Sequence, residues 1–594
     1  MPLVTFLPSR RIIRVAEGTT LLDAYRQAEL PAFAGCAGLG TCGKCRLRFP
    51  QGAPSPGPTE STLLPLSQIE VGYRLACLSR VSRDTIVEVT FADVGPGFKE
   101  LGAFAGIGLK LQPVVRRVSA HGLLPPSPGM PATLGDGFEA ILFGDELLSL
   151  RPADRRPVMG LGFDIGTTSL AAYLVDLETG AQKAALGLRN AQAAYGADVI
   201  SRIAFANTHD DGLCKLQSQC LAGLNRLITQ LVRQAHCSAE DIYHIVVVGN
   251  PTMLHLFLGI APRQIGTPPF EPVFKEGRTV SAEALSVQAA PGARVETLPI
   301  VSGYVGADTV AMALLLGLDR LEESCLAIDV GTNGEILLSH AGRVYACSTA
   351  AGPAFEGARI SCGMRAQPGA IGYFSYDKGT QALRYHMLGG RKPRGISGTG
   401  LVSLVALLLR EGIISPPGRF CADGPVSGCL RGRLRQGEKQ QEFLIVADDD
   451  VVRGGDIVLT QRDVRELQLA KGAMAAGIQR LLEHAGLRPG DLDHIYLGGA
   501  FGSSLEPWAA QCIGLLPPVD QKRVTVVGNA AGAGAKMVLC SQEMRQRATL
   551  IAQSIVYLEL SLDQRFNDLF IEALEFPQGE GRVPPFDRRK KGSE

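Results

Sequence analysis

Four cysteines near the start of the chain, Cys36, Cys42, Cys45 and Cys77, have the residue type and spacing to hold iron. The first three lie in Gly35-Cys36-Ala37-Gly38-Leu39-Gly40-Thr41-Cys42-Gly43-Lys44-Cys45, and Cys77 follows alone. The pattern is C-x5-C-x2-C…C, one residue longer at the first gap than a common [2Fe–2S] spacing, C-x4-C-x2-C…C. A [2Fe–2S] rhomb needs four thiolates around a small volume, so a loop that supplies three must wrap closely around inorganic sulfide. Glycines at 35, 38, 40 and 43 permit that approach because they lack a Cβ. Their amide N–H groups can then face the sulfurs, which is one control on reduction potential. The chemistry predicted is one-electron transfer.

Other uses of these cysteines fit less well. Zinc sites usually show two short C-x2-C knuckles, and Cys77 has no cysteine beside it. Disulfide frameworks belong to small secreted chains, whereas this one has 594 residues and begins as a strand without a secretory apolar segment. Gly38–Gly43 matches G-x-G-x-x-G, and Gly38–Cys45 nearly matches a G-x4-G-K-[ST] loop. Neither follows a strand and opens a helix, as both nucleotide motifs require, so the glycines are assigned to the cluster. The other ten of the 14 cysteines and the nine histidines are dispersed. They read as small buried groups, and no second metal centre is expected.

A second chemistry lies downstream. Gly162-Phe163-Asp164-Ile165-Gly166-Thr167-Thr168-Ser169 recurs as Ala327-Ile328-Asp329-Val330-Gly331-Thr332-Asn333-Gly334. Each copy follows an apolar strand and precedes another, which places it at a hairpin tip. Asp164 and Asp329 end a strand, Gly166 and Gly331 let the backbone approach a ligand, and Thr167, Thr168, Thr332 and Asn333 offer side-chain donors. Two such loops face to face would cradle phosphates with backbone N–H groups, the two aspartates flanking a hydrated Mg²⁺. Three further strand-to-glycine turns follow the same logic: Ile245–Asn250, Ile495–Gly502 and Val524–Gly532. Gly395–Gly400 precedes a helix over Leu401–Leu409, and Thr460-Gln461-Arg462-Asp463 is a capping box for a helix running through Lys471.

The elements that must position the cysteines are short. Val4, Phe6, Ile12, Ile13 and Val15 predict two strands around Pro8-Ser9-Arg10, and Thr20–Asp23 caps a short helix ending near Leu30-Pro31. Arg74–Leu78 reads as a strand that carries Cys77, and Thr85–Phe91 alternates like a closing strand. Residues 1–92 thus resemble the β-grasp [2Fe–2S] ferredoxins, with the first spacing nearer the adrenodoxin branch. A Gly/Pro-rich connector and small middle module fill 93–157, and residues 578–594 read as a flexible tail. The order of loops over 158–577 resembles the actin, sugar-kinase and heat-shock-chaperone ATPases, a two-lobed ribonuclease H-like fold. That resemblance implies ATP in the cleft, with Gly498, Gly499 and Ala500 against the adenosine and Lys471 as a further nucleotide contact. The expected class is therefore multidomain, α+β followed by α/β.

The pairing of both parts resembles the reductive activators of corrinoid-dependent methyltransferases. Asn190–Ile203, Gly249–His255 and Ala351-Gly352-Pro353-Ala354-Phe355-Glu356-Gly357 also look like stretches of that family. The resemblance implies a repair reaction: one electron returns an inactive Co(II) corrinoid to Co(I), with ATP consumed. It implies a corrinoid protein as partner and an external low-potential electron donor, since no flavin or NAD fingerprint survives inspection. A homodimer is compatible with it. A plant-type cluster sits near about −400 mV and the cobalt couple lies lower, each ~59 mV uphill costing a factor of ten. Three alternatives stay open: an activator of another redox enzyme, such as a dehydratase; a ferredoxin-like carrier without ATP coupling; and a small-molecule kinase.

Composition bounds these readings. The net charge of +1 gives no electrostatic case for nucleic acid, and the basic run Arg588–Lys591 reads as solvated. No apolar run reaches the ~18 residues of a membrane span, so neither a membrane nor export is expected, and the cytoplasm is. Glycine is 70 of 594 residues, well above the usual ~7%, and much of it sits in short loops after apolar strands.

Overall fold

Alternating burial along the first strands sets the N-terminal sheet. In the computed structural model, described for all residues except 8–10, 29–44, 65–68, 90–109, 120–137, 155, 197, 332, 358, 378, 391, 422–427, 438–439, 452–454 and 579–594, Val4, Phe6 and Val87 are fully buried. Strands β1 (Leu3–Leu7), β2 (Arg11–Arg14), β3 (Arg46–Arg48), β4 (Tyr73–Leu75) and β5 (Thr85–Val89) form one sheet in the order β2-β1-β5-β3-β4. The central pair β1–β5 is parallel and the other pairs are antiparallel. The helix Leu21–Gln27 covers one face with Leu21, Leu22, Ala24 and Tyr25, giving the expected β-grasp. The turn Pro8-Ser9-Arg10 and the predicted helix end at Leu30-Pro31 lie outside the described residues.

One expectation changes here. The strand predicted over Arg74–Leu78 stops at Leu75, because Leu78 and Ser79 both return their N–H groups to the Leu75 carbonyl (3.0 and 2.9 Å). Cys77 therefore sits in a turn, while Ala76 N–H still donates to the Cys45 carbonyl (2.8 Å). The turn carries the Cys77 side chain back over Cys45.

A small antiparallel sheet follows, with β6 (Val115–Ser119), β7 (Phe138–Phe143) and β8 (Glu146–Pro152) in sequential order. It is tied to the next lobe: Val115 and Ile141 join that lobe's core, and Arg151, buried against Glu139 (2.6 Å), reaches the Tyr243 hydroxyl (3.3 Å).

Each lobe of the remaining chain repeats one topology. The first contains β9 (Met159–Ile165), β10 (Ser169–Asp176), β11 (Gln182–Arg189), β12 (Ile242–Gly249), β13 (Thr279–Ser281) and β14 (Arg294–Thr297), ordered β11-β10-β9-β12-β14-β13. In the second lobe, β15 (Cys325–Val330), β16 (Gly334–His340) and β17 (Arg343–Thr349) are continued by β18 (Ala370–Asp377), β19 (Ala382–Met387), β20 (Gly395–Ile396), β21 (Leu434–Gln436), β22 (Gln441–Val446) and β23 (Ile457–Thr460). The lobe closes with β24 (His494–Gly498), β25 (Val524–Gly528) and β26 (Val556–Tyr557). Its main sheet is ordered β25-β24-β15-β16-β17-β26. Thus β11-β10-β9-β12-β14 and β17-β16-β15-β24-β25 are the same arrangement: two hairpins of antiparallel strands, then parallel strands on the far side of the first. That duplication is the ribonuclease H-like plan of actin-like ATPases. Every residue of β12 is buried, as a strand covered on both faces requires.

The helices Ala307–Leu316 and Ala530–Cys540 cross where the lobes meet. A Cβ on Gly534 would lie 2.2 Å from the Ala311 carbonyl oxygen, so only glycine allows this backbone approach. The N-terminal sheet touches the second lobe through its helix Pro58–Leu63, whose Thr59 methyl lies beside Gly389 after β19. No helix among the described residues is long and apolar enough to cross a membrane.

Candidate functional site

The two hairpin tips predicted from the repeated motif face one cleft. Asp164 lies at the end of β9 and Asp329 near the end of β15, because the shared topology delivers the same strand end to the interlobe face in both halves. Asp308, one residue into the helix Ala307–Leu316, and Glu335, paired across β15–β16 with Asp329, complete an acidic cluster. Desolvation raises all four carboxyl groups. Asp164 rises to about 7, with Asp308 and Asp329 adding to the shift and an Asn529 hydrogen bond opposing it. Asp329 rises to about 7, helped by Asp308, and Asp308 rises to about 6. Glu335 is pushed well above the usual carboxyl range. Burial and mutual repulsion make ionisation of the cluster costly, a cost that a bound cation would reduce. Among the described residues no three His, Cys, Asp or Glu side chains converge closely enough to ligate a metal directly.

These shifts have a stability consequence. A raised carboxyl binds more protons folded than unfolded, so its contribution falls as pH rises through the folded value. Asp329→Asn is therefore expected to gain Tm relative to the parent chain as pH rises from about 5 to about 7, and to level off above that. Thermal denaturation of both proteins without Mg²⁺ or nucleotide checks this, and a difference independent of pH contradicts it.

Around Thr167 and Thr168 the loop is fastened from several sides. Asn190 donates to the Gly166 carbonyl (2.9 Å) and Asn250 to Thr167 Oγ1 (3.1 Å). Arg202, fully buried, donates to the Thr167 carbonyl and to Gln192 Oε1 (3.1 Å). Burial lowers its pKa, to about 10, so it remains a cation behind the first hairpin tip at neutral pH. Arg202→Met is expected to weaken ATP binding by about tenfold or more, since the Thr167 carbonyl and Gln192 Oε1 lose their charged donor. Titration with a fluorescent nucleotide measures this.

Across the cleft, Gly331 N–H donates to the Asn333 carbonyl (2.9 Å) and the Asn333 side chain bonds Glu335. Thr332 lies outside the described residues. Gly498 pairs with Asp329 across β15–β24. Gly499 has φ of 77°, and a Cβ there would lie 2.1 Å from Asp329 Oδ1, so a side chain at 499 would displace the carboxylate. Ala500 continues the short helix Gly499–Gly502. Asn529 caps the helix Ala530–Cys540 and donates to Asp164 Oδ2 (2.7 Å), joining the last connecting turn to the first loop.

Lys471 is not brought to this group. Its helix, Gln461–Ala485, forms as expected with Thr460 as cap, but the ammonium is buried, donates to the Glu575 carbonyl and lies over the Phe576 ring (5.2 Å). The C-terminal segment covers it. Missed by motif reading were Asp308, Glu335, Asn529, Arg202 and Glu356. Arg202, Glu356 and Asn529 lay in stretches singled out from the sequence, but nothing in their spacing marked them individually.

Of the four cluster cysteines, Cys36 and Cys42 lie outside the described residues. Cys45 and Cys77 are buried with Sγ atoms 3.2 Å apart. That is too long for a disulfide of about 2.05 Å and leaves two thiols side by side in the core of the first sheet. Glu60 braces the Cys77 side: its Oε1 accepts from Leu75 N–H (2.7 Å) and its Oε2 from Gly57 N–H (3.0 Å).

Comparison with known proteins joins the two sites. Residues 4–82 match the 2Fe-2S iron-sulfur cluster binding domain, 159–321 the RACo middle region, and 323–586 the C-terminal domain of RACo, the ASKHA domain. The corrinoid activation enzyme RamQ of Eubacterium limosum is 37% identical over 443 residues, covering 73% of this chain and 74% of that one. The [Co(II) methylated amine-specific corrinoid protein] reductase of Methanosarcina barkeri is 24% identical over 448 residues, covering 70% and 77%. A solved reductive activator for corrinoid, iron-sulfur protein superposes with a TM-score of 0.70 at 32% identity, covering 97% of this chain and 98% of that one. The chain therefore belongs to the RACo family of reductive corrinoid activators, with a [2Fe–2S] domain in front of a nucleotide-binding ASKHA domain.

Proposed function

We propose that this protein is an ATP-dependent one-electron reductase that returns a corrinoid protein from Co(II) to Co(I). The observation that carries the reading is the joining, in one chain, of a buried cysteine pair 3.2 Å apart to a two-lobed cleft whose acidic residues come from both lobes. When bound, the [2Fe–2S] cluster supplies the one-electron donor, with Cys36, Cys42, Cys45 and Cys77 as its thiolates. Asp164 and Asp329 position hydrated Mg²⁺; Gly166, Thr167, Thr168, Gly331, Thr332 and Asn333 hold the phosphates; and Gly498, Gly499 and Ala500 face the adenosine. Lys471 is given no nucleotide role, because its ammonium is bonded to a backbone carbonyl. The functional units are 1–92 for electron transfer, 93–157 as connector, 158–577 for ATP and 578–594 as tail. The electron comes from an external low-potential donor, and the compartment is the reducing cytoplasm.

Coupling follows from the fold. Closing two lobes on ATP changes the surface they offer a partner, and coupling energies of about 1–3 kcal/mol offset an electron transfer uphill by several tens of millivolts. The test mixes the reduced protein with a Co(II) corrinoid protein and follows Co(I) absorbance. Appearance of Co(I) is expected to need ATP. The same rate and extent without ATP would sink the proposal.

A further inference from the structure

Across the nucleotide cleft, the Thr168 hydroxyl of the first lobe lies 2.9 and 3.0 Å from the two carboxylate oxygens of Glu356 in the second. We propose that Glu356 is a positioning residue for ATP turnover, acting across the cleft through the Thr168 hydroxyl. The inference rests on the reading of 164–169 as a phosphate loop and adds a residue that the loop motifs do not contain.

Three observations carry it. The bond joins residues 188 positions apart in sequence and belonging to different lobes, so it forms only in one relative placement of the lobes. A threonine hydroxyl has one proton: given to Glu356, it leaves the oxygen lone pairs to accept from the loop or its ligand. The Glu356 bond thus fixes the Thr168 rotamer and sets its loop against the second lobe.

The third observation is how Glu356 is held. Phe355, its neighbour, packs on Phe501 of the glycine turn after β24 with ring centroids 4.9 Å apart. The Phe355 carbonyl lies against the first turn of the helix Gly398–Arg410, where a Cβ on Gly398 would be 1.7 Å from it. Gly357 follows with φ of 76°, and a Cβ there would lie 2.4 Å from the Met364 carbonyl. A shift of Glu356 therefore reaches both the adenosine side of the cleft and the core of the second lobe. On the other lobe, buried Arg202 grips the Thr167 carbonyl beside Thr168 and feels the Glu356 charge.

A bond that serves only to hold the fold predicts loss of stability. One that sets the phosphate loop against the second lobe predicts loss of kcat with nucleotide affinity kept. The experiment measures steady-state ATP hydrolysis, nucleotide Kd and Tm for full-length Glu356→Ala, Glu356→Gln, Thr168→Val and the double variant Glu356→Ala/Thr168→Val. Expected are a fall in kcat on the order of tenfold or more for Glu356→Ala, the worth of one charge-assisted hydrogen bond, and Kd within about threefold. The double variant is expected to lose no more than the worse single one, because both break the same bond. Glu356→Gln keeps an oxygen for the hydroxyl and is expected to recover most of kcat. Multiplicative losses in the double variant, or parent kcat in Glu356→Ala, overturn the inference. If Glu356→Ala does not fold, the cycle is run with Glu356→Met, which fills the space without an acceptor oxygen, against Thr168→Val on the same criterion. Loss of turnover in Thr168→Val with none in Glu356→Ala refutes the inference alone. Unchanged turnover in Thr168→Val and in Asp329→Asn refutes the phosphate-site reading beneath it.

Discussion

Asp329→Asn is expected to lower ATP hydrolysis, and with it ATP-driven formation of Co(I), by on the order of a hundredfold to a thousandfold, the scale seen when one preorganised electrostatic group is removed from a reacting site. Asp329 is placed by the strand end of β15, stands opposite Glu335 and touches the space that a side chain on Gly499 would need. Asparagine preserves that shape, so the substitution removes charge without opening a cavity. Burial holds the aspartate near a pKa of about 7, which makes its ionised form costly until a cation arrives. On the proposed function, loss of the carboxylate removes the counter-charge for a cation–nucleotide complex while relieving the folded protein of a costly buried group. The visible spectrum of the iron–sulfur domain should be unchanged, because the two sites lie in separate sheets. ATP hydrolysis at the parent rate in Asp329→Asn would remove Asp329 from the site.

Cys77→Ala is expected to give the opposite separation: loss of the [2Fe–2S] absorption and of electron delivery to cobalt, with ATP hydrolysis kept within about twofold. The residue is buried beside Cys45, and the turn that presents it is held by the Leu75 carbonyl and by Glu60. Alanine fits this backbone, so the protein should fold and the defect should be confined to iron binding. Iron and sulfide content together with the visible spectrum measure the first half, and a coupled ATPase assay the second. A Cys77→Ala protein that keeps a full complement of cluster would exclude this thiolate as a ligand.

The legible parts of the fold were those with a local signature. Val4, Phe6 and Val87 are buried and alternate with more accessible neighbours, so the first sheet could be read from spacing. The two D-x-G-T/N hairpins could be read because each lies between apolar strands, and the capping box at Thr460 marks the start of its helix. Cys77 shows where such reading fails. Leu75 to Leu78 is apolar enough for a strand, but the hydrogen bonds that end β4 return to Leu75 itself, and no periodicity records them. Lys471 failed for a related reason: its helix was right, but a segment about a hundred residues later covers its ammonium.

By itself the sequence determined which chemistries the chain carries. Thiolates in a glycine-rich loop and paired acidic hairpins owe their character to residue type and short-range spacing, which survive in one dimension. The tertiary structure decided which carboxylates share a field and which side chains cross the cleft. Asp164, Asp308, Asp329 and Glu335 come from four elements, Asn529 reaches Asp164 across 365 positions, and Glu356 meets Thr168 only when the lobes face each other. Desolvation and hydrogen bonding act through space over a few ångströms, so groups far apart in the chain acquire these properties only once the lobes are assembled.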